Sequence, residues 1–284
     1  MRTRLAVPLL LLALLAGACS IEDGGPPAAE PPVAERPDEQ TPGAATEASP
    51  GSDAVGDGLV EGEIVVQAAA SLTDAFADVA EAFSADHPDA TVVYNFAGSQ
   101  ALATQIVEGA PADVFASANF TQMDVVAENG LVVDEPEVFV NNQLAVAVEA
   151  GNPFGISSLA DLADPELVLV LAAPDVPAGS FAAEALEGAG VEVTPASLEV
   201  DVRSVLSKVE LGEADAGIVY TSDLVTASDA VEGVVIPEAE NVVAAYPIAA
   251  LDEGPNPEGA AAFIDFVLSA EGQAILGECG FVGV

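Results

Sequence analysis

The sequence predicts an α/β protein in which a mainly parallel sheet is flanked by helices. Short β-branched runs alternate with stretches of helical period from about residue 59 onward. Most strand signals pass directly into small residues and then into the apolar face of a helix, the βαβα rhythm of a parallel sheet. Hydrophobic residues make up 51% of the 284-residue chain, enough for two modest cores.

The first unit sets the pattern. Ile64, Val65 and Val66 form a β-branched run, followed by Ala68-Ala69-Ala70. Ser71 then reads as a helix N-cap with Asp74 three residues on, close to a capping box. Leu72, Ala75, Phe76, Val79, Ala80 and Phe83 supply one helical face. Residues 91–96 read as a strand, Gly98-Ser99 as a break, and Leu102, Ile106 and Val107 as the apolar side of the next helix. A strand at 113–117 and a helix at 118–128, ended by Asn129-Gly130, complete this run. Residues 138–148 form a long apolar strand interrupted by Asn141 and Asn142, long enough to leave one lobe and enter another.

The middle repeats the rhythm. A strand at 167–172 leads through the loop 173–180 into a helix reaching Leu186, with Gly188 and Gly190 ending it. A strand at 198–201 precedes the stripe Val202, Val205, Leu206 and Val209, and 215–220 is another strand. Residues 234–236 and 242–251 read as extended, and helices at 257–268 and 270–276 close the chain. The order implies a discontinuous first lobe, 59–139 with 240–284, around a second lobe at 140–239. The connecting strands near 138–142 and 236–243 would be hinges.

Composition narrows the function. The formal charge is −42, with five basic residues: Arg2, Arg4, Arg36, Arg203 and Lys208. No basic patch for nucleic acid or an anionic membrane surface can form. Arg2 and Arg4, the apolar run 5–15 and Ala16-Gly17-Ala18-Cys19 resemble a bacterial lipoprotein signal peptide at 1–18 with its lipobox. Cys19 would then be lipidated, anchoring an extracytoplasmic protein to the cell membrane. Residues 19–58 are rich in Pro, Ala and Glu and read as a disordered tether. Cys279 is left without a partner and reads as a small buried hydrophobe.

Catalytic signals are absent. The single histidine, His87, sits in a polar turn, and no nucleophile elbow, Walker loop or dinucleotide fingerprint occurs. An extracellular enzyme using Asp/Glu chemistry is the poorer reading. Four helix starts stand out instead: Ser71, Ser99, Ala178-Gly179 and Val202. Free N–H groups and the helix dipole make such starts anion sites, and in an open α/β sheet they lie beyond the carboxyl ends of the strands. Singly, each serine is more simply a plain cap. Arg203 and Lys208 are more simply helix-surface ion pairs than compensation for a bound anion.

The order of the motifs changes that weighing. AAASLTDAF (68–76), FAGSQALATQIVEGAPADVFASA (96–118), DVPAGSFAAEAL (175–186), DVRSVLSKVELGEADAGIVYTSD (201–223) and YPIAAL (246–251) resemble the periplasmic molybdate-binding proteins of bacterial ABC transporters. The resemblance implies a two-lobed type II periplasmic binding fold with the ligand in the cleft, and a monomer that delivers its ligand to ABC permease subunits. It implies that Ser71 and Ser99 each give a hydroxyl and an N–H, Ala178 and Val202 give N–H groups, and the Tyr220 hydroxyl completes the shell. The ligand would be molybdate or tungstate, with no cofactor and no metal bound directly by side chains. Sulfate or another oxyanion is the alternative within the class.

Overall fold

The computed structural model describes residues 60–284. The signal peptide, the lipidation of Cys19 and the tether at 19–58 lie outside the described residues. Nine strands form one mixed sheet: β1 (Gly62–Ala69), β2 (Ala90–Ala97), β3 (Val114–Ala116), β4 (Glu137–Glu149), β5 (Leu169–Ala172), β6 (Ser197–Glu199), β7 (Ala216–Tyr220), β8 (Val231–Val235) and β9 (Val243–Ala250). Their order is β2-β1-β3-β9-β4-β7-β5-β6, with β8 also paired to β4. The helices are α1 (Thr73–Asp86), α2 (Ser99–Val107), α3 (Phe120–Glu128), α4 (Pro177–Ala189), α5 (Val202–Glu210), α6 (Thr221–Val225), α7 (Pro257–Leu268) and α8 (Ala270–Glu278).

The sheet is less parallel than the βα rhythm predicts. β1 pairs in parallel with β2 and β3, and β5 with β6 and β7. β4 runs antiparallel to β7, β8 and β9, and β9 antiparallel to β3. Parallel pairing needs a crossover, and it occurs where strand, helix and strand follow one another. β9 follows β8 without an intervening helix and returns from the far part of the chain, so it enters the first strands from the opposite direction. β4 pairs with β9 up to Gln143 and with β7 and β8 from Leu144 on. One strand therefore serves two groups of partners.

Helices cover both faces. Leu102 and Ile106 of α2 pack with Met123 and Val126 of α3 over Phe115. On the other face one buried cluster runs from Ile64, Phe76 and Phe263 through Phe139 and Tyr246 to Val205 and Leu206 of α5. Four helices carry side-chain caps: Asn119, Asp201, Asn256 and Ser269 each accept an N–H from the third helical residue. Gly190 ends α4 at φ +68°, while Gly188 lies inside that helix, contrary to its reading as a terminator.

Three local readings need correction. Ser71 is not the N-cap of α1. It lies inside a 3-10 turn, Ala70–Leu72, and α1 starts at Thr73 with no side-chain cap. Its hydroxyl is engaged by Tyr246 instead, and Asp74 is engaged by Arg203, so no capping box forms. The loop after β5 stops earlier than expected, because Pro177 takes the first position of α4, where a missing N–H costs nothing. The short helix α6 and a 3-10 turn at Leu159–Ala163 were not read, since five residues are too few to show a period.

Candidate functional site

Ser71, Ser99, Ala178, Val202 and Tyr220 all line one cavity of about 10 Å³. Each sits just beyond the carboxyl end of a strand. Ser71 follows β1, Ser99 follows β2, Ala178 follows β5, Val202 follows β6 and Tyr220 ends β7. Parallel pairing sets the ends of β1 and β2 side by side, and likewise those of β5, β6 and β7. The two groups run in opposite senses, because three antiparallel steps (β3–β9, β9–β4 and β4–β7) separate them, so their carboxyl ends meet across the cavity.

On one side two buried serines present hydroxyls. Ser99 is the first residue of α2, and its Oγ accepts the Ala118 N–H at 3.0 Å. Ser71 Oγ lies 2.9 Å from Tyr246 Oη. Tyr246 is itself held by Asn142, whose Nδ2 donates to Ser222 Oγ at 2.8 Å and to Tyr246 Oη at 3.5 Å. Asn142 and Ser222 are wholly or almost wholly buried.

On the other side the donors are backbone. Ala178 is the second residue of α4 and Val202 the first of α5. A helix start leaves such amides without an intrahelical acceptor. The cap of α5 does not use Val202, because Asp201 Oδ1 accepts the Ser204 N–H at 2.8 Å. The Asp201 carboxylate also borders the cavity. The turn into α4 is tight: a Cβ on Gly179 would lie 2.0 Å from the Ala173 carbonyl oxygen, so only glycine fits there. Tyr220 Oη is buried and makes no hydrogen bond of ordinary geometry, although the Tyr246 hydroxyl lies near enough to act on it. Burial, with Tyr246 and Asp223 beside it, pushes this phenol well above its ordinary range, so it keeps its proton and can donate.

A charged cluster adjoins this cavity. Arg203 pairs with Asp74 of α1, and its Nε lies 3.0 Å from Oδ1 of Asp223. Asp223 is fully buried, and its Oδ2 accepts the Tyr220 N–H at 3.0 Å. Burial lifts the Asp223 carboxyl to about 7, against the pull of Arg203 and of that N–H, while the charges of Asp74 and Asp201 add to the rise. Arg203 is thus more than a helix-surface pair. It joins α1 to the segment after β7, and its charge is spent on two carboxylates. Lys208 fits the simpler expectation, pairing with Glu199 at 2.7 Å.

The ionisable side chains that line the cavity are Asp201 and Tyr220. Among the described residues no group of three His, Cys, Asp or Glu side chains could hold a metal ion. His87 follows α1, packs at a tilt against Phe83 and accepts the Val60 N–H at Nδ1, the turn role expected of it. Cys279 is a buried free cysteine. The sequence reading missed Tyr246, Asn142 and Asp223. Asn142 had a visible signal, an amide in an apolar strand; Tyr246 and Asp223 lay in quoted motifs with nothing to mark their contacts.

Residues 64–282 match the family described as bacterial extracellular solute-binding protein. The molybdate-binding protein ModA of Mycobacterium tuberculosis is 44% identical over 233 residues, covering 82% of this chain and 89% of that protein. A substrate-binding domain assigned to a molybdenum ABC transporter from Clostridium difficile is 31% identical, with a TM-score of 0.60 over 78% of this chain and 99% of that one. The sulfate-binding protein SubI of M. tuberculosis is 19% identical, with a TM-score of 0.70 over 78% of this chain and 87% of that one, and shares the fold. With its α/β sheet, the helix starts at its cavity and these relatives, the chain belongs to the bacterial extracellular solute-binding proteins, within the molybdate-binding protein ModA family.

Proposed function

We propose that this protein captures molybdate or tungstate outside the cytoplasm and hands it to the permease of an ABC importer. The observation that carries the reading is the Tyr220 hydroxyl, buried, protonated and without a hydrogen bond of ordinary geometry, at a cavity that Ser71, Ser99 and the starts of α4 and α5 also line. A tetrahedral dianion without protons is satisfied by donors alone, and hydroxyls and amides supply them without a cation. Phosphate keeps a proton near neutral pH and is matched by a free acceptor. None of the five proposed residues is an acceptor-only group, and Asp201, the carboxylate that borders the cavity, uses Oδ1 to cap α5.

In this reading two lobes close over the anion, 59–139 with 240–284 against 140–239. The hinges lie in the strands near 138–142 and 236–243, consistent with β4 changing partners after Gln143. Closure removes water and strengthens each hydrogen bond. The protein acts as a monomer, and Cys19 carries a lipid that holds it to the membrane.

Sulfate is the second reading, favoured by the likeness to SubI. A thermal-shift titration of the full-length protein with molybdate, tungstate, sulfate and phosphate at fixed ionic strength decides. A ligand that binds only the folded state raises the melting temperature with concentration. Shifts with molybdate and tungstate alone support the proposal. A sulfate shift of equal size moves the function to general oxyanion uptake, and no shift with any anion refutes it.

A further inference from the structure

Tyr246 lies outside the residues that line the cavity, yet it fixes what one of them can do. Asn142 Oδ1 accepts two hydrogen bonds at 3.0 Å, from the Gln143 N–H and from Thr221 Oγ1. A backbone N–H can only donate, so it sets which end of the amide is oxygen. The Nδ2 end then donates to Ser222 Oγ and towards Tyr246 Oη. The Tyr246 oxygen is thereby an acceptor from Asn142, and burial raises its pKa and keeps the phenol protonated. The hydrogen it retains faces Ser71 Oγ at 2.9 Å. Either hydroxyl can donate in this pair; with Tyr246 as the donor, Ser71 accepts and its own hydrogen is left for the cavity. Ser99 reaches the same state by a shorter route, because its Oγ accepts the Ala118 N–H.

We propose that Asn142 and Tyr246 are positioning residues for anion selection: the chain Asn142 to Tyr246 to Ser71 locks the Ser71 hydroxyl as a donor, so that the cavity favours oxyanions without protons over those that carry one. The inference rests on the oxyanion reading above and adds to it a selection device that does not touch the ligand. Without Tyr246 Oη the Ser71 hydroxyl is free to rotate, and a rotated serine accepts a proton from a ligand as readily as it donates.

The test is Tyr246→Phe in the full-length protein, which keeps the buried ring among Phe139, Tyr220 and Phe281. Sodium molybdate and sodium phosphate affinities are measured at pH 7 for wild type, Tyr246→Phe, Ser71→Ala and the double variant. The preference for molybdate over phosphate should fall about tenfold in Tyr246→Phe. In the Ser71→Ala background the Tyr246 change should have no further effect on the preference, since no hydroxyl remains to be aimed. A merely structural role for Tyr246 would lower both affinities together in either background. A preference within about twofold of wild type in Tyr246→Phe overturns the proposal, as does an equal loss in the Ser71→Ala background. Wild-type protein that binds neither anion overturns the functional reading and this inference with it, whereas wild-type binding with an unchanged preference overturns only the inference.

Discussion

The two sides of the cavity reach the same chemistry by different means. After β1 and β2 the groups at the cavity include side-chain hydroxyls, each in contact with another group: Ser71 Oγ with Tyr246 Oη, and Ser99 Oγ with the Ala118 amide. After β5 and β6 the donors are backbone amides, and helix geometry aims them without help from any side chain. The contrast concerns where fragility lies. A hydroxyl is lost by removing one atom, whereas an amide is lost only by moving the chain.

The largest expected effect follows on the amide side. Gly179→Ala puts a methyl group against the Ala173 carbonyl, so the turn into α4 must move. Overpacking against backbone should cost about 3 kcal/mol or more in chemical denaturation. Gly188→Ala in the same helix, where a Cβ meets nothing, should instead stabilise by about 0.5–1 kcal/mol. Equal effects would mean that the tight turn does not hold the Ala178 amide in place.

On the hydroxyl side Ser99→Ala and Ser71→Ala should each weaken molybdate binding by about 1–3 kcal/mol in calorimetric titration, the usual loss for a hydrogen bond to a charged group. Tyr220→Phe belongs with them, because its hydroxyl makes no other hydrogen bond of ordinary geometry. Unchanged affinity in all three would place the anion elsewhere.

A third effect tests the cluster that joins the two sides. The Asp223 carboxyl titrates near 7 when folded and near its ordinary 3.8 when unfolded. Between those values the folded protein holds the extra proton. This group's contribution is therefore full below about 3.8, is lost as pH rises towards 7, and is flat above. Asp223→Asn should remove that slope, which amounts to at most about 1.4 kcal/mol per pH unit. Urea denaturation of both proteins from pH 4 to 8 measures it, and parallel curves would show that Asp223 is ionised throughout. The smallest effect is expected at the other cation. Lys208→Met should cost less than about 1 kcal/mol, because the partly exposed pair with Glu199 is screened by solvent.

Much of this was legible in the sequence, for reasons particular residues make clear. Asn129-Gly130 and Gly190 end α3 and α4 as expected, and α5 opens at Val202, where its apolar stripe begins. Those are local events, set by neighbours within four positions. Ser71 misled by the same logic, since Ser followed by Asp three residues on reads as a cap. Both side chains are instead taken by residues more than a hundred positions away, Tyr246 and Arg203.

Local periodicity, composition and motif order are enough for the βα rhythm, most helix starts, the strongly negative charge and the family. The antiparallel course of β4 and β9, the meeting of five distant strand ends at one cavity and the contact of Tyr246 with Ser71 arise only in the folded chain. Those outcomes rest on which strand pairs with which. Pairing is fixed by burial across the whole sheet, and no short stretch of chain records it.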